Sequence, residues 1–368
     1  IWYNIGVFLL NFGGLMTLND IMAALGVVIN GIPQALLALS VGFAAFPTSL
    51  GFLVGVIACA ILQSPIPISM QAETIALAGA YGDDVNERLS VVFWAGIIMT
   101  ILGITGSLNY IVDLAGEYVL NGMMAGVGLI LAKIAVDGLK LETRKVSLIS
   151  ILTAFATYFI SGRNLVYTII ISVIISSIYA NVMKMEIGMG IKNEERKLSV
   201  KKPLLNKKVI RGGLSLACLT IGANIAFGNI TASLSNGNVT ANIDHLTIYS
   251  GIADAVSSLF GGAPVEAIIS ATGASDNPVN SGILMMAILG AIMFMGLLPK
   301  LGKYVPGESI HGFLFVLGAF VTVPTNANLA FAAGGDAALV AGIAMATTAA
   351  SDPFVGLVAG VILKFIIL

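Results

Sequence analysis

The chain has 368 residues, of which 57% are hydrophobic and 10% charged, with a net charge of −1 and a mean hydropathy of +0.98. A soluble globule keeps about a quarter of its residues charged to solvate its surface, so this composition excludes a water-soluble fold and turns most of the outer surface towards lipid. It also excludes a nucleic-acid partner, since no basic face can neutralise a phosphate backbone. Cys59 and Cys218 sit inside apolar runs without metal-ligand spacing, which excludes a disulfide framework or a zinc site.

A membrane-spanning helix takes about 20 apolar residues. In chain order, such runs fall at 4–19, 32–63 (with Pro47 inside), 88–107, 112–136, 146–161 and 164–183. The first lacks a basic n-region and a small-residue cleavage site, so it reads as a span rather than a signal peptide. The second half carries runs at 209–228, 242–260, 281–298, 308–323, 337–350 and 353–368. Two shorter apolar stretches, about 67–80 and 264–280, are broken by Pro, Gly and polar residues. Together these give about seven elements in each half. Between the halves lies the one strongly charged segment, 184–211, too polar to cross a membrane and read as a solvated loop. The outline is that of an internal repeat.

The two broken stretches share a grammar. SPIPISMQAETIALAGAYG follows an apolar helix ending at Leu62, and GGAPVEAIISATGASDNPVNSG follows one ending at Phe260. Proline disfavours helix at the residue before it and removes a backbone donor, so the chain at Pro65, Pro67 and Pro264 is expected to be extended. Extended backbone at membrane depth is tolerated only where it is buried in protein or lines a cavity. Paired interruptions in two halves therefore point to a transporter's binding site.

The polar residues of these stretches are the site candidates. Glu73 opens the first short helix, where it serves a substrate or proton, or caps its own helix. Glu266 occupies the matching stretch, with a structural bond to the opposing strand as the alternative. Ser69, Gln71, Ser270 and Thr272 offer neutral hydrogen-bonding groups suited to a planar polar ligand, or simply pack. Asp254 and Asn224 lie inside predicted spans as coupling or structural groups. Asp113, Glu117 and Asn121, spaced i, i+4, i+8, read as one polar stripe; Lys133 and Lys364 are placed to snorkel from span ends. Gly51/Gly55, Gly122/Gly126 and Gly356/Gly360 carry GxxxG spacing and mark close helix packing. No P-loop, HExxH, nucleophile elbow or dinucleotide fingerprint is present. The chain is thus expected not to be an enzyme or an ATP-driven pump. It would need no cofactor beyond a coupling ion, H+ or Na+.

TIYSGIADAVSSLFGGAPVEAIISATGAS resembles the ninth and tenth segments of the nucleobase:cation symporters, a family that includes uracil and xanthine permeases. ILQSPIPISMQAETIALAG is similar to their second-to-third junction, EYVLNGMMAGVGLILAKIAV to their fifth segment, and ALVAGIAMATTAASDPFVGLVAGVILKFI to their last two. The resemblance implies an all-α integral membrane fold with about fourteen segments in two inverted repeats of seven. At its centre stand two short strand-plus-half-helix segments. It implies a core domain of 1–108 and 209–300, a gate domain of 109–183 and 301–368, and a basic linker at 184–208. It further implies a multi-pass protein of the cell membrane, a homodimer, that takes up a nucleobase or similar planar solute with a cation by alternating access. The family's acid in segment 8 has no counterpart in LACLTIGANIAFGNIT, and its acid in segment 10 falls on Ser270. SPIPISMQAE is also similar to the sulfate and molybdate permeases, so an oxyanion permease of the same fold is the alternative, with a passive channel as another.

Overall fold

The computed structural model describes residues 16–185, 198–235, 242–302 and 304–368. In the first half it places α1 (Leu18–Ser40), α2 (Ala45–Leu62), β1 (Ile68–Ser69), α3 (Ala72–Tyr81), α4 (Val85–Thr105), a short α5 (Leu108–Ala115), α6 (Glu117–Asp137), α7 (Arg144–Ile160) and α8 (Leu165–Val182). The second half repeats the order with α9 (Lys207–Ser233), α10 (Ile243–Leu259), β2 (Glu266–Ala267), α11 (Pro278–Phe294), a short α12 (Leu297–Gly302), α13 (Gly307–Phe331), α14 (Gly335–Ala350) and α15 (Pro353–Ile367). Two helices, a strand with a short helical piece, a helix, and then three more spans recur in each half. This is an all-α membrane fold of two inverted repeats. Among the described residues seven helices are long and apolar enough to cross a bilayer, and α11, α14 and α15 are shorter apolar helices.

Helix starts follow from side-chain caps. Thr17 and Asp20 form a reciprocal capping box on α1, and Asp84, Asn164, Asn206, Asn242 and Asp352 each accept a first-turn N–H of α4, α8, α9, α10 and α15. Each satisfies a donor that would otherwise be orphaned at a helix end.

Two expectations change, and a third falls outside the described residues. The run 32–63 is not one span: α1 ends at Ser40 and α2 begins at Ala45. Gly42, at φ +98°, turns the chain between them, and Ala44 donates its N–H to the Gly261 carbonyl at 2.8 Å. Turn formation and that bond outweigh the continuous hydropathy. The 4–19 run falls almost wholly on residues 1–15, outside the described residues, as does 186–197 of the charged linker. The Asp113–Glu117–Asn121 stripe does not form, because Gly116 at φ +84° separates α5 from α6 and breaks the helical register after Asp113.

The chain divides into two compact units. The first comprises Ile1–Leu108 and Asn193–Leu298. Here α4 crosses α10 at backbone distance: a Cβ on Gly96 would stand 2.6 Å from the Gly251 carbonyl, and one on Gly251 would stand 2.7 Å from the Thr100 nitrogen. Gly51 and Gly55 let α2 approach Val265 and Ile68 in the same way. Residues just before α9 strap across α4, where Ser90 Oγ accepts the Leu204 N–H at 2.9 Å and Trp94 Nε1 donates to the Leu204 carbonyl at 2.8 Å.

The second unit comprises Asn109–Lys192 and Pro299–Leu368. Gly122 and Gly126 of α6 lie against the Ala341 and Met345 carbonyls of α14, as the GxxxG spacing expects. Where α13 passes Gly128 of α6 its backbone widens into a π-helical stretch, Leu317–Thr322, with Gly318 against the Gly128 carbonyl. In α8 the polar side chains Thr168, Ser172 and Ser176 are buried while Ile171, Ile174 and Ile178 are exposed. Ser172 and Ser176 donate to carbonyls of their own helix, so the polar face goes inward and the apolar face goes to lipid. Lys364 Nζ reaches the carbonyls of Asp113 and Leu114 at 3.1 and 2.9 Å, so it closes the end of α5.

Candidate functional site

In the first unit, the two broken stretches meet. β1 and β2 pair antiparallel, with Ile68 opposite Ala267 and Ser69 opposite Glu266. The prolines explain the shortness of the strands: Pro65, Pro67 and Pro264 flank them and cannot donate to a ladder. The approach to β1 is fixed from α10, because Tyr249 Oη donates to the Ile66 carbonyl at 2.6 Å and contacts Ser64 Oγ at 3.1 Å.

The pieces that follow the strands differ. β1 leads into the ten-residue α3, whereas β2 leads into a single 3-10 turn, Ala271–Ala274. The sequence SDNP after that turn accounts for the difference, since the residue before Pro278 cannot take helical backbone easily. In place of a half-helix, Ser270 and Thr272 satisfy each other, with their hydroxyls 2.6 Å apart and the Thr272 N–H donating to Ser270 Oγ. Thr231 Oγ1 of α9 accepts the Ser270 N–H and donates to the Ile268 carbonyl.

Glu266 is fully buried and accepts two hydroxyl hydrogens, Thr220 of α9 on Oε1 and Thr74 of α3 on Oε2, both at 2.6 Å. Asp254 of α10 is equally enclosed and accepts the Val265 N–H, next to Glu266 in the chain, at 2.6 Å. Glu73 is buried in the first turn of α3. Asn224 donates to Thr247 and Ser250 on α10, and its carbonyl oxygen has no partner.

Ser69 and Gln71 are different. Both are buried, at 2% and 4% exposure, and the Ser69 hydroxyl and both ends of the Gln71 amide have no hydrogen-bond partner in the protein. Gln71 stands at the N-cap of α3 without capping it. Gly31 of α1 keeps space beside Ser69: a Cβ there would lie 3.6 Å from its hydroxyl and 3.0 Å from Leu289. A buried polar group without a partner costs about 1–3 kcal/mol, and three such atoms stand together around the start of one half-helix. The structure therefore brings Ser69, Gln71, Glu73 and Glu266 to one locus and joins Asp254 to it. Sequence reading missed Thr74 and Thr220, whose signal was only a hydroxyl on a span facing a buried acid.

No family model matches this sequence, and no curated protein sequence matches it. Solved structures do. The transmembrane domain of a cyanobacterium bicarbonate transporter, BicA, superposes with a TM-score of 0.70 at 16% identity, covering 93% of this chain and 96% of that one. SLC26A9 superposes at 0.67 with 15% identity, covering 95% of this chain and 65% of that one. The murine Slc26a9 anion transporter in the inward-facing state gives 0.68 and 14% identity, covering 96% of this chain and 68% of that one. At these identities the likeness is one of fold. It corrects the assignment to the nucleobase:cation symporters, since the similar structures include a bicarbonate transporter and an anion transporter. The shared Gly-rich and Pro-interrupted motifs mark how such helices pack and break, not what they bind. The carboxylates that would read a base are missing from α9 and from Ser270.

Proposed function

We propose that this chain is a secondary transporter of small inorganic anions, with the anion held at Ser69, Gln71 and the N-terminus of α3. The observation that carries the reading is the unpartnered Ser69 hydroxyl and Gln71 amide, buried at the start of a half-helix. A helix N-terminus presents free N–H groups and partial positive charge. Discontinuous helices in transporters direct such ends at anionic groups. Neutral donors and a helix end, with no Lys or Arg of α3 or the strands beside them, hold an anion without trapping it. Two of the similar structures, a bicarbonate transporter and an anion transporter, support the same class. In this reading the first unit is the carrier domain, the second is the gate, and the absence of a nucleotide motif leaves an ion gradient as the energy source.

Purified protein titrated with sodium sulfate, sodium bicarbonate, sodium chloride and uracil tests this by thermal unfolding. An anion at 100 times its Kd stabilises by about 2.7 kcal/mol. Stabilisation by sulfate or bicarbonate, lost in Gln71→Ala, is the expected result. Stabilisation by uracil alone would sink the proposal. For a passive channel, uptake into vesicles would survive collapse of the proton and sodium gradients.

A further inference from the structure

We propose that the strap ahead of α9, residues 198–207, is a seat for anionic phospholipid headgroups at the membrane surface. The inference is independent of the anion reading and uses none of its residues. The strap has neither helix nor strand before Lys207, yet its main chain is held to the first unit. Lys201 donates its N–H to the Leu259 carbonyl at the end of α10, at 2.7 Å. Leu204 is held on both sides, its N–H by Ser90 and its carbonyl by the Trp94 indole. Pro203, between them, lines a small recess with Leu89, Phe93 and Leu259.

The side chains left outside are of two kinds. Lys201, Lys202 and Lys207 are exposed, and so are Leu198, Val200 and Leu205, at 50%, 66% and 68%. Non-helical backbone cannot face hydrocarbon, because its polar groups need water or headgroups. Apolar side chains on such backbone are accommodated at the boundary between headgroups and acyl chains, with lysines reaching into the headgroup layer. The neighbours set that depth. The span α9 begins at Lys207 itself, and Trp94, which holds Leu204, is of the residue type enriched at the membrane–water interface. From Lys202 to Lys207 the chain can extend at most about 18 Å, so the lysines share one patch.

Charge complementarity names the occupant. The acids at the start of α4 are already engaged: Lys208 stands 2.5 Å from Asp83 and 3.3 Å from Glu87, and Asp84 accepts the Glu87 N–H. Lys201, Lys202 and Lys207 have no carboxylate partner among the described residues. A ligand that satisfies the whole patch carries a negative head for these lysines and an apolar body for Val200 and Leu205. A free phosphate answers only the first demand, and an acidic peptide does not account for apolar side chains at the start of a span. An anionic phospholipid answers both.

The test compares the whole chain in nanodiscs of phosphatidylcholine with the chain in equal parts phosphatidylcholine and phosphatidylglycerol. Hydrogen exchange at the amides of 199–206 should slow in the mixed discs, with α6 and α14 unchanged. This comparison needs no variant. In detergent, phosphatidylglycerol retention read by native mass spectrometry should weaken by about fivefold per lysine removed. The Lys201→Gln/Lys202→Gln/Lys207→Gln variant should therefore bind it about a hundredfold more weakly. Equal exchange in the two discs overturns the seat, as does wild-type retention in the triple variant. An equal loss in Lys140→Gln/Arg144→Gln/Lys145→Gln, which removes three exposed cations elsewhere, overturns it too. If inorganic phosphate or a polyglutamate peptide protects 199–206 in detergent as well as phosphatidylglycerol does, the occupant is not a lipid and the proposal fails. None of these outcomes bears on Ser69 or Gln71, so the anion reading stands or falls separately.

Discussion

Thr74 on α3 and Glu266 at the head of β2 are joined by a 2.6 Å hydrogen bond across 192 residues of chain. This bond ties the half-helix of one repeat to the strand of the other. Replacing Thr74 with Val keeps the shape, removes the donor and strips Glu266 Oε2 of its partner. Side-chain hydrogen bonds inside membrane proteins average about 0.6 kcal/mol and reach about 1.7, so a loss of about 0.6–2 kcal/mol is expected. Thermal unfolding in detergent measures it, with Thr74→Ser expected to restore most of the loss. Equal stability in Thr74→Val and wild type would show that the bond carries no load.

Glu73 places a carboxyl in the first turn of α3, where its negative charge stands at the helix start proposed to hold the anion. The substitution Glu73→Gln keeps the size and removes the charge. Charges at a helix terminus contribute about 0.3–1 kcal/mol when exposed and up to about 2 when partly buried. Sulfate binding is therefore expected to tighten by about three- to tenfold at neutral pH, read by calorimetry. Weaker binding in this variant would mean that Glu73 holds the ligand directly rather than repelling it.

Much of this arrangement was legible in the sequence, for physical reasons that differ by residue. Hydropathy and length reveal spans because lipid demands long apolar helices, and proline reveals the strands because it removes donors. Ser69, Gln71, Glu73 and Glu266 stood out because polar groups at membrane depth need partners. Two things were hidden. Gly42 and Gly116 turn the chain inside apolar stretches, and only the bonds made by neighbours such as Gly261 show which glycine is a turn and which is a packing contact. The ligand class was hidden as well, since the same half-helix start accepts any ligand with an acceptor, and the resemblance of packing motifs carried no information about that chemistry.

The seam between α6 and α14 in the second unit gives a prediction independent of the anion site. A Cβ at Gly126 would lie 2.6 Å from the Met345 carbonyl and 2.5 Å from Thr348 Cβ, and one at Gly122 would strike the Ala341 carbonyl. The obstruction at Gly122 is backbone, so no rotamer change relieves it. Overpacking typically costs about 1–3 kcal/mol. Gly122→Val is expected at the upper end, with a lowered unfolding temperature, whereas Gly162→Ala, which meets nothing within 4 Å, adds no clash and tests only the φ +68° turn.

Tyr249 offers the sharpest separation of positioning from packing. Its hydroxyl donates at 2.6 Å to the Ile66 carbonyl, which otherwise has only the Cys59 thiol at 3.5 Å. Ile66 sits between Pro65 and Pro67, neither of which has an N–H, so the segment ahead of β1 depends on side chains to hold it. Tyr249→Phe keeps the buried ring and its apolar contacts while freeing that carbonyl. The expected stability loss is small, about 0.6–2 kcal/mol on the same membrane scale. The amides of residues 66–72, however, should exchange hydrogen faster, and sulfate affinity should fall because Ser69 and Gln71 lie on the loosened segment. Hydrogen exchange read by mass spectrometry distinguishes the outcomes. Faster exchange confined to that segment supports a positioning role, and uniform acceleration through α6 and α14 would mean that Tyr249 only stabilises the fold.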